Sequence, residues 1–206
     1  IPIYNDRESL KLLIENINNE TKDFNHEISV VVINDASSQQ IIDTYPNIEN
    51  ISSFEIINMK ENRGHARCIA SGLKYIYEKK EFDFVIPMDG DGEDQPEEIK
   101  NFIQFSEQSS EKSIIGERVK RSEGIIFQLC YQFHKFLTLA FTGQSIKFGN
   151  FTCLSKSTVK KMLEEKATWN SFSGALKKVE KELIISPSIR GKRYFGPSQM
   201  SFFNLL

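Results

Sequence analysis

The sequence has few cysteines, and none of them stands at a spacing typical of metal-binding or redox-active pairs. Its three cysteines, Cys68, Cys130 and Cys153, are far apart and lie among apolar neighbours. Free thiols in a reducing compartment are therefore the simplest interpretation. The residues show no signal-peptide pattern, and they contain no uninterrupted run of about 18 apolar residues, the length expected of a membrane-spanning helix.

Several catalytic motifs are missing as well. The chain contains no Gly-x-Ser-x-Gly, no His-Glu-x-x-His and no phosphate-binding Gly-x-x-x-x-Gly-Lys-Ser/Thr sequence, which argues against the common hydrolase classes and the P-loop enzymes. A uniform excess of basic residues is also lacking, because 26 Lys and Arg face 28 Asp and Glu. A typical nucleic-acid-binding protein is strongly basic, so we expect no nucleic-acid partner.

Charge is nevertheless distributed unevenly along the 206 residues. Residues 1–100 carry ten Lys and Arg against twenty Asp and Glu, whereas residues 101–206 carry sixteen against eight. This asymmetry predicts a site that combines acidic groups from the first half with cationic groups from the second. Two solvated surfaces of opposite charge would give the same count.

Helical and strand patterns alternate through the first 120 residues and predict an α/β fold. Apolar residues repeat with helical spacing over 10–17 and 66–77, and buried strands are indicated at 28–33, 54–59, 82–88 and 113–116. Strands separated by helices favour a mostly parallel sheet with helices on both faces. Ligands bind such sheets beyond the carboxyl ends of the strands, so polar residues at those positions are candidate site residues.

The strongest candidate is the segment Met88–Asp94, which follows one of these strands. Asp89 and Asp91 stand two residues apart with glycines between and after them, so both carboxylates can reach one Mg²⁺ or Mn²⁺ ion. An EF-hand loop is excluded because Asp94 and Lys100 stand where that loop needs Gly and Glu. A polar turn is the alternative. Asp94, Pro96 and Glu97 further predict a capping box that opens a helix.

Three other segments carry candidate binding residues. Asn34 and Asp35 end a buried strand, where a carboxylate can accept hydrogen bonds from a base or ribose, although both residues also favour ordinary turns. The segment Asn62–Arg67 precedes a helix and carries cations that suit phosphate, but a capped loop would look the same. The segment Arg190–Arg193 has three cations in four residues, which fits a phosphate, a lipid headgroup or a solvated charge run.

Four stretches, taken in their order along the chain, resemble the inverting glycosyltransferases of family 2, which have the GT-A fold. They are Ile1–Asp6, Val32–Ser38, Asn62–His65 and Met88–Glu97. The resemblance implies a single nucleotide-diphospho-sugar transferase domain over 1–206. Its first part, 1–120, would bind nucleotide and metal, and 121–206 would face the acceptor and the membrane.

The resemblance also implies roles for individual residues. Asp89 and Asp91, aided by Glu93, would hold Mg²⁺ or Mn²⁺ and the diphosphate, and Arg118 would lie near the donor or acceptor phosphates. The remaining residues implied to bind the nucleotide sugar, UDP- or GDP-linked, are Pro2, Tyr4, Asp35, Asn62, Gly64, Arg190 and Arg193.

The second half resembles the polyprenyl-phosphate branch of this family, through Gly116–Arg118, Gly149–Phe151 and Arg190–Met200. That branch moves a sugar onto a lipid phosphate at the cytoplasmic face of the membrane, and many members continue into membrane helices. We therefore expect a fragment that lacks its natural start and such helices. Many relatives have Asp where this chain has Asn150. An amide cannot act as a base, so Asn150 favours a phosphate acceptor, which is already anionic.

Two other functions remain open at this point. One is transfer to a saccharide hydroxyl, and the other is a catalytically silent domain that binds nucleotide sugar or serves as a membrane scaffold, which Asn150 would favour. The apolar but interrupted helix predicted over 125–141 could lie in a membrane interface, form part of the core or mediate homo-oligomer contacts. Together with the basic second half, it predicts attraction to an anionic membrane surface.

Overall fold

The computed structural model describes residues 1–40, 48–109, 112–120 and 148–196. Seven strands are found there: Pro2–Ile3 (β1), Ser29–Asn34 (β2), Ser53–Asn58 (β3), Phe84–Val85 (β4), Ile114–Lys120 (β5), Phe148–Ser155 (β6) and Ile184–Ile189 (β7). The α-helices are Arg7–Glu20 (α1), His65–Lys79 (α2), Ile99–Gln108 (α3), Lys156–Glu164 (α4) and Phe172–Val179 (α5), with 3₁₀ turns at Pro96–Glu98 and Lys166–Trp169. The predicted helix over 125–141 lies outside the described residues.

The predicted α/β fold class is confirmed. Strands β1, β2 and β3 form a parallel sheet in that order. A second sheet has the order β4-β6-β5-β7, in which β5 and β7 are parallel while β6 runs antiparallel to β4 and β5. The antiparallel strand β6 was not expected, because the part of the chain before it was too irregular to assign strands.

Helices α1 and α2 form where the apolar spacing predicts them, because that spacing places the apolar residues on one face. The buried residues of α1 include Leu10, Leu13 and Ile14, and those of α2 include Ile69 and Leu73. The α1 residues join a cluster with Val30, Val32, Met88 and Phe102, and the α2 residues join a second cluster with Leu154, Val159 and Met162. The helices thereby fix the strand ends from which the candidate site residues project.

The predicted strand over 82–88 is much shorter in the structure. Only Phe84 and Val85 pair with β6, and Pro87, which has no N–H group to donate, follows two residues later. Residues of both β2 and β4 line a cavity of about 830 Å³. The short strand leaves Met88 buried and directs the chain into the acidic loop at its carboxyl end.

The predicted capping box is wrong. The 3₁₀ turn begins at Pro96, and the preceding residue, Gln95, makes no side-chain capping hydrogen bond. The carboxylate of Asp94 instead accepts a hydrogen bond from the backbone N–H of Asp89 at 2.8 Å. Asp94 therefore closes the acidic loop rather than capping the helix.

Candidate active site

The acidic loop, residues 89–94, is a tight turn closed by its own carboxylates. In addition to the Asp89–Asp94 hydrogen bond, the N–H of Glu93 donates to Asp91 Oδ1 at 3.0 Å. Gly92 has a φ of +86°, a conformation that residues with a side chain rarely adopt. A Cβ atom at Gly90 would lie 2.9 Å from the carbonyl oxygen of Pro2, so this glycine lets the loop pack against β1.

Asp89 is paired with a histidine that the sequence did not single out as a site residue. His65 Nε2 lies 2.8 Å from Asp89 Oδ1, and the His65 ring belongs to the first residue of α2. Burial lowers the pKa of His65, but the hydrogen bond and negative charge of Asp89 outweigh it, so the pKa is raised overall. Asn150 Nδ2, on β6, lies 3.5 Å from His65 Nδ1. Three elements thus converge next to Asp89.

Asp91 is paired with an arginine from the far end of the described chain. Arg193 Nη1 donates to Asp91 Oδ2 at 2.6 Å, and Arg193 Nη2 donates to Asp6 Oδ2 at 2.5 Å. The three side chains are only 17%, 18% and 13% exposed, respectively. Burial and the negative charge of Asp89 raise the pKa of Asp91, against the opposing effect of Arg193 and Arg190. One guanidinium therefore bridges two carboxylates in a poorly solvated position.

Further contacts attach the segment 190–196, here called the strap, to the acidic loop. The N–H of Gly191 donates to the carbonyl of Glu93 at 2.8 Å, and the N–H of Tyr194 donates to the carbonyl of Asp91 at 3.0 Å. Arg190 forms an ion pair with the carboxylate of Glu93. Backbone and side-chain contacts together hold the strap along the loop.

The strap also reaches helix α1. Asn16 Nδ2 donates to the hydroxyl of Tyr194 at 2.9 Å, and a Cβ atom at Gly92 would lie only 2.4 Å from the Tyr194 ring. The N–H of Ile189, just before the strap, donates to Glu98 Oε1 at 2.7 Å. The strap is therefore anchored at both ends, and Gly92 leaves room for its tyrosine.

Asp35, predicted to contact the nucleoside, is 4% exposed and holds a neighbouring loop. Its two carboxylate oxygens accept hydrogen bonds from the N–H groups of Arg63 and Gly64 at 2.7 and 2.8 Å. The carboxylate thereby joins the end of β2 to the start of α2. Gly64 has a φ of +85°, which suits a residue without Cβ at this junction.

The loop after β1 is tied to the loop after β2. Asn5 has a φ of 49°, and its Oδ1 accepts hydrogen bonds from the N–H and the hydroxyl of Ser38 at 2.9 and 3.1 Å. The N–H of Asn5 donates to Ser37 Oγ at 2.9 Å. Tyr4, beside this tie, is 40% exposed and so available to a ligand. The serines were part of the Val32–Ser38 stretch, but this contact was not predicted.

The structure thus brings most predicted site residues into two neighbouring groups. One group contains Asp89, Asp91, Glu93, Asn150, Arg190 and Arg193, and the other contains Pro2, Tyr4, Asp35 and Gly64, with Asn62 exposed beside it. The side chain of Arg118 lies outside the described residues. The structure adds two residues to the predicted site, His65 and Asp6. Both lie in stretches that resemble family 2, but no local sequence pattern indicates which residues they contact.

Within the described part of the chain, no three or more His, Cys, Asp or Glu side chains are grouped so as to hold a metal ion. In the same residues, no helix is both long enough and apolar enough to cross a membrane.

The sequence matches the model of glycosyl transferase family 2 over residues 1–162. It is 26% identical over 218 aligned residues to undecaprenyl-phosphate 4-deoxy-4-formamido-L-arabinose transferase of Photorhabdus laumondii, covering 100% of this chain and 63% of that protein. It is 25% identical over 214 residues to the putative glycosyltransferase CsbB of Bacillus subtilis, covering 100% of this chain and 62% of that protein. The chain thus spans less than two thirds of the length of these relatives.

Two of the solved structures to which the chain is similar illustrate its fold. S. aureus TarS 1–349 has a TM-score of 0.59 and 15% identity, with 90% of this chain and 56% of that chain covered. The mannosyltransferase PcManGT from Pyrobaculum calidifontis, in complex with GDP-Man and Mn²⁺, has a TM-score of 0.59 and 18% identity, with 90% and 53% covered. These similarities confirm the GT-A fold.

Proposed function

The chain belongs to glycosyl transferase family 2, and we propose that it transfers a sugar from a nucleoside-diphosphate sugar to a polyprenyl phosphate with the help of Mg²⁺ or Mn²⁺. The observation that carries this proposal is the meeting of the acidic loop with the two arginines of the strap at the carboxyl end of β4. Carboxylates that bind a cation and guanidinium groups that bind phosphate are what a diphosphate leaving group requires.

The donor's nucleoside would lie beside Pro2, Tyr4 and Asp35. Tyr4 offers an exposed ring, and Asp35 fixes the loop that carries Asn62 and Gly64. The solved mannosyltransferase with the same fold contains GDP-Man, and S. aureus TarS has been solved with UDP-GlcNAc. A UDP- or GDP-linked sugar therefore remains the proposed donor.

The residues of the acidic loop fit a divalent cation. Asp89 and Asp91 provide the hard oxygen ligands that Mg²⁺ and Mn²⁺ prefer, and one or two carboxylates plus substrate phosphates commonly complete such a site. The raised pKa of Asp91, caused by burial and by Asp89, indicates a position that a positive charge stabilises. When bound, the cation offsets the charge that develops on the leaving diphosphate. Glu93, paired here with Arg190, is proposed as an auxiliary ligand.

The acceptor would approach the other side of Asp89, where His65 and Asn150 lie. In the transfer, an acceptor oxygen forms a bond to the anomeric carbon as the bond from that carbon to the diphosphate breaks on the opposite face, which inverts the configuration. A phosphate monoester, whose second pKa is about 6, is already an anion at neutral pH and needs no base. Asn150 is therefore compatible with a phosphate acceptor and not with a hydroxyl that residue 150 would have to deprotonate. Arg118 is proposed to contact the donor or acceptor phosphates.

The relatives' names support the same acceptor, since the Photorhabdus protein is named as an undecaprenyl-phosphate sugar transferase. We propose that the full protein acts at the cytoplasmic face of an anionic membrane. Within the domain, 1–120 would supply nucleotide and metal ligands and 121–206 acceptor contacts. The strap is an exception to this division, because it belongs to the second part and yet contacts the acidic loop.

The test is sugar transfer in vitro with Mn²⁺, a panel of UDP- and GDP-linked sugars, and either undecaprenyl phosphate or an oligosaccharide as acceptor. A thermal-shift screen with Mn²⁺ selects the donor first, because a ligand that binds only the folded state raises its stability. Transfer to undecaprenyl phosphate supports the proposal. Transfer to the oligosaccharide alone would overturn the acceptor assignment, and donor binding without any transfer would favour a silent binding domain.

Asp91→Asn is the variant that tests the acidic loop. We expect at least a tenfold loss of metal-dependent turnover, about 1.4 kcal/mol of transition-state stabilisation, with the fold retained. Glu97→Gln is the matched control, since Glu97 is an exposed acid shortly after the loop and should leave turnover unchanged. Wild-type rates in Asp91→Asn, with Mn²⁺ still required, would show that the cation binds elsewhere.

A further inference from the structure

The guanidinium of Arg193 lies against one carboxylate oxygen of Asp91, at the place that a cation bound through that oxygen would take. It donates to Asp91 Oδ2 at 2.6 Å, and the participating side chains are more than four-fifths buried. Two cations cannot both contact the same partly buried carboxylate oxygen at this distance without strong repulsion. A metal ion that binds Asp91 through that oxygen must therefore displace Arg193.

Arg193 has a second partner that a metal ion at Asp89 and Asp91 would not remove. Its Nη2 donates to Asp6 Oδ2 at 2.5 Å, and Asp6 directly precedes the first residue of α1. The Arg193 side chain can thus release one carboxylate and stay attached to the other. Its buried Nε has no hydrogen-bond acceptor among the described residues, so this side chain retains a donor for an incoming anion.

We propose that Arg193 occupies the cation position of the acidic loop in the free protein and exchanges Asp91 for the donor's diphosphate when metal and donor bind, with Asp6 as the partner that holds it throughout. This inference rests on the proposed function, because it presumes a metal-bound nucleoside diphosphate. Asp6 is then a positioning residue, which acts on the donor through Arg193. The loop and strap keep their negative and positive charges paired whether or not ligand is bound.

The exchange predicts effects of opposite sign on metal and nucleotide binding. Arg193→Gln removes the group that competes with Mn²⁺ for Asp91. The affinity for Mn²⁺ alone should therefore rise by about tenfold, because Mn²⁺ no longer has to bind the minority of molecules in which Arg193 has left Asp91. The same variant should bind UDP and GDP about tenfold more weakly at saturating Mn²⁺, because it lacks the guanidinium contact to phosphate. A purely structural role for Arg193 would weaken both.

Mn²⁺ binding is measured by electron paramagnetic resonance without nucleotide, and UDP and GDP binding by calorimetry with saturating Mn²⁺. Lys100→Gln is the control, because it removes one positive charge from an exposed position of α3, outside the strap, and should change either affinity by less than about twofold. Asp6→Asn should leave Mn²⁺ affinity unchanged and weaken UDP and GDP binding. This second variant decides the question if circular dichroism shows that Arg193→Gln does not fold.

Unchanged or weaker Mn²⁺ binding in a folded Arg193→Gln protein would overturn the exchange, as would unchanged UDP and GDP binding in Asp6→Asn. Absence of Mn²⁺ binding in every variant would also overturn it. None of these results decides whether the wild-type protein transfers sugar to lipid phosphate, which is measured separately, so the two proposals can fail independently.

Discussion

At the scale of single residues, Asp35 has a structural task in addition to the nucleoside contact predicted for it. Its buried carboxylate accepts two backbone N–H groups of the loop before α2, and hydrogen bonds to charged groups contribute about 1.5–3 kcal/mol each. We expect Asp35→Ala to lower the free energy of unfolding by at least about 2 kcal/mol and to weaken nucleotide binding by about 1–3 kcal/mol.

Urea unfolding and calorimetry with UDP and GDP would measure these two effects. Asp23→Ala, at an exposed position, is the control and should alter neither. Lower stability with unchanged nucleotide affinity would assign Asp35 to the loop alone and remove it from the nucleoside site.

Buried thiols provide a second prediction at this scale. Burial raises the pKa of Cys68 and of Cys153 to about 12, with Asp35 adding to the effect at Cys68. At pH 8 the thiolate fraction is then on the order of 10⁻⁴, and only the thiolate reacts with iodoacetamide. We expect both cysteines to be alkylated at least about 100-fold more slowly in the native protein than in urea.

The same pKa shifts have a consequence for stability at high pH. An unfolded thiol loses its proton near pH 8.5–9, whereas the folded protein keeps it to about pH 12. Stability should therefore fall as pH rises above about 9, because the unfolded state binds fewer protons there than the folded state. Peptide mapping measures the alkylation, and fast labelling of Cys68 or Cys153 at pH 8 would contradict their burial.

At the scale of structural elements, the acidic loop and the strap are matched in shape. Gly92 has a φ of +86°, and a Cβ atom there would lie 2.4 Å from the Tyr194 ring. We expect Gly92→Ala to destabilise the protein by about 1–3 kcal/mol, partly through backbone strain and partly through the clash. Tyr194→Ala should be less destabilising in the Gly92→Ala background than in the wild type, because it removes the clash.

A double-mutant cycle of urea unfolding curves isolates this coupling. A coupling free energy near zero would show that the strap does not pack against Gly92. Gly196→Ala is a useful control, since Gly196 also has a positive φ, +61°, but a Cβ atom there would meet no other atom within 4 Å. The loss of stability in Gly196→Ala therefore measures the backbone strain of a positive φ without a side-chain clash.

The elements also show what the sequence could and could not predict. Helix α1 and strand β2 were predicted because their periodicity is local, and Asp89 and Asp91 because they directly follow a strand. The partners of those carboxylates were not predictable in the same way. His65 and Arg193 come from distant parts of the chain, and pairing across 24 and 102 residues leaves no periodic signal. The predicted Asp94 cap was wrong because the carboxylate of Asp94 accepts the N–H of Asp89 within the acidic loop, and Gln95 takes the position before the turn.

At the scale of the whole molecule, the charge asymmetry remains the basis for the predicted membrane attraction. Several lysines of the second half are paired with glutamates, including Lys156 with Glu81 and Lys178 with Glu165. Residues 101–206 nevertheless carry sixteen Lys and Arg against eight Asp and Glu, and this excess favours an anionic surface, at about 1 kcal/mol per nearby cation. We expect weak binding to anionic vesicles that decreases with added salt as the charges are screened.

Flotation with anionic and neutral vesicles at low salt tests this expectation. Equal and negligible flotation with both would remove the membrane interaction. The predicted helix over 125–141 would then be assigned to the core or to contacts between copies of the chain.

The contact between Asp6 and Arg193 spans 187 residues, and this separation has a consequence for biosynthesis. The ribosome completes Asp6, Asp91 and Glu93 long before it adds Arg190 and Arg193, the arginines that pair with them. Domains fold as units during or after synthesis, and contacts between distant residues form slowly. A nascent chain therefore displays Asp6 and Asp91 without Arg193, and in that interval a divalent ion such as Mg²⁺ can bind Asp91 without having to displace the guanidinium.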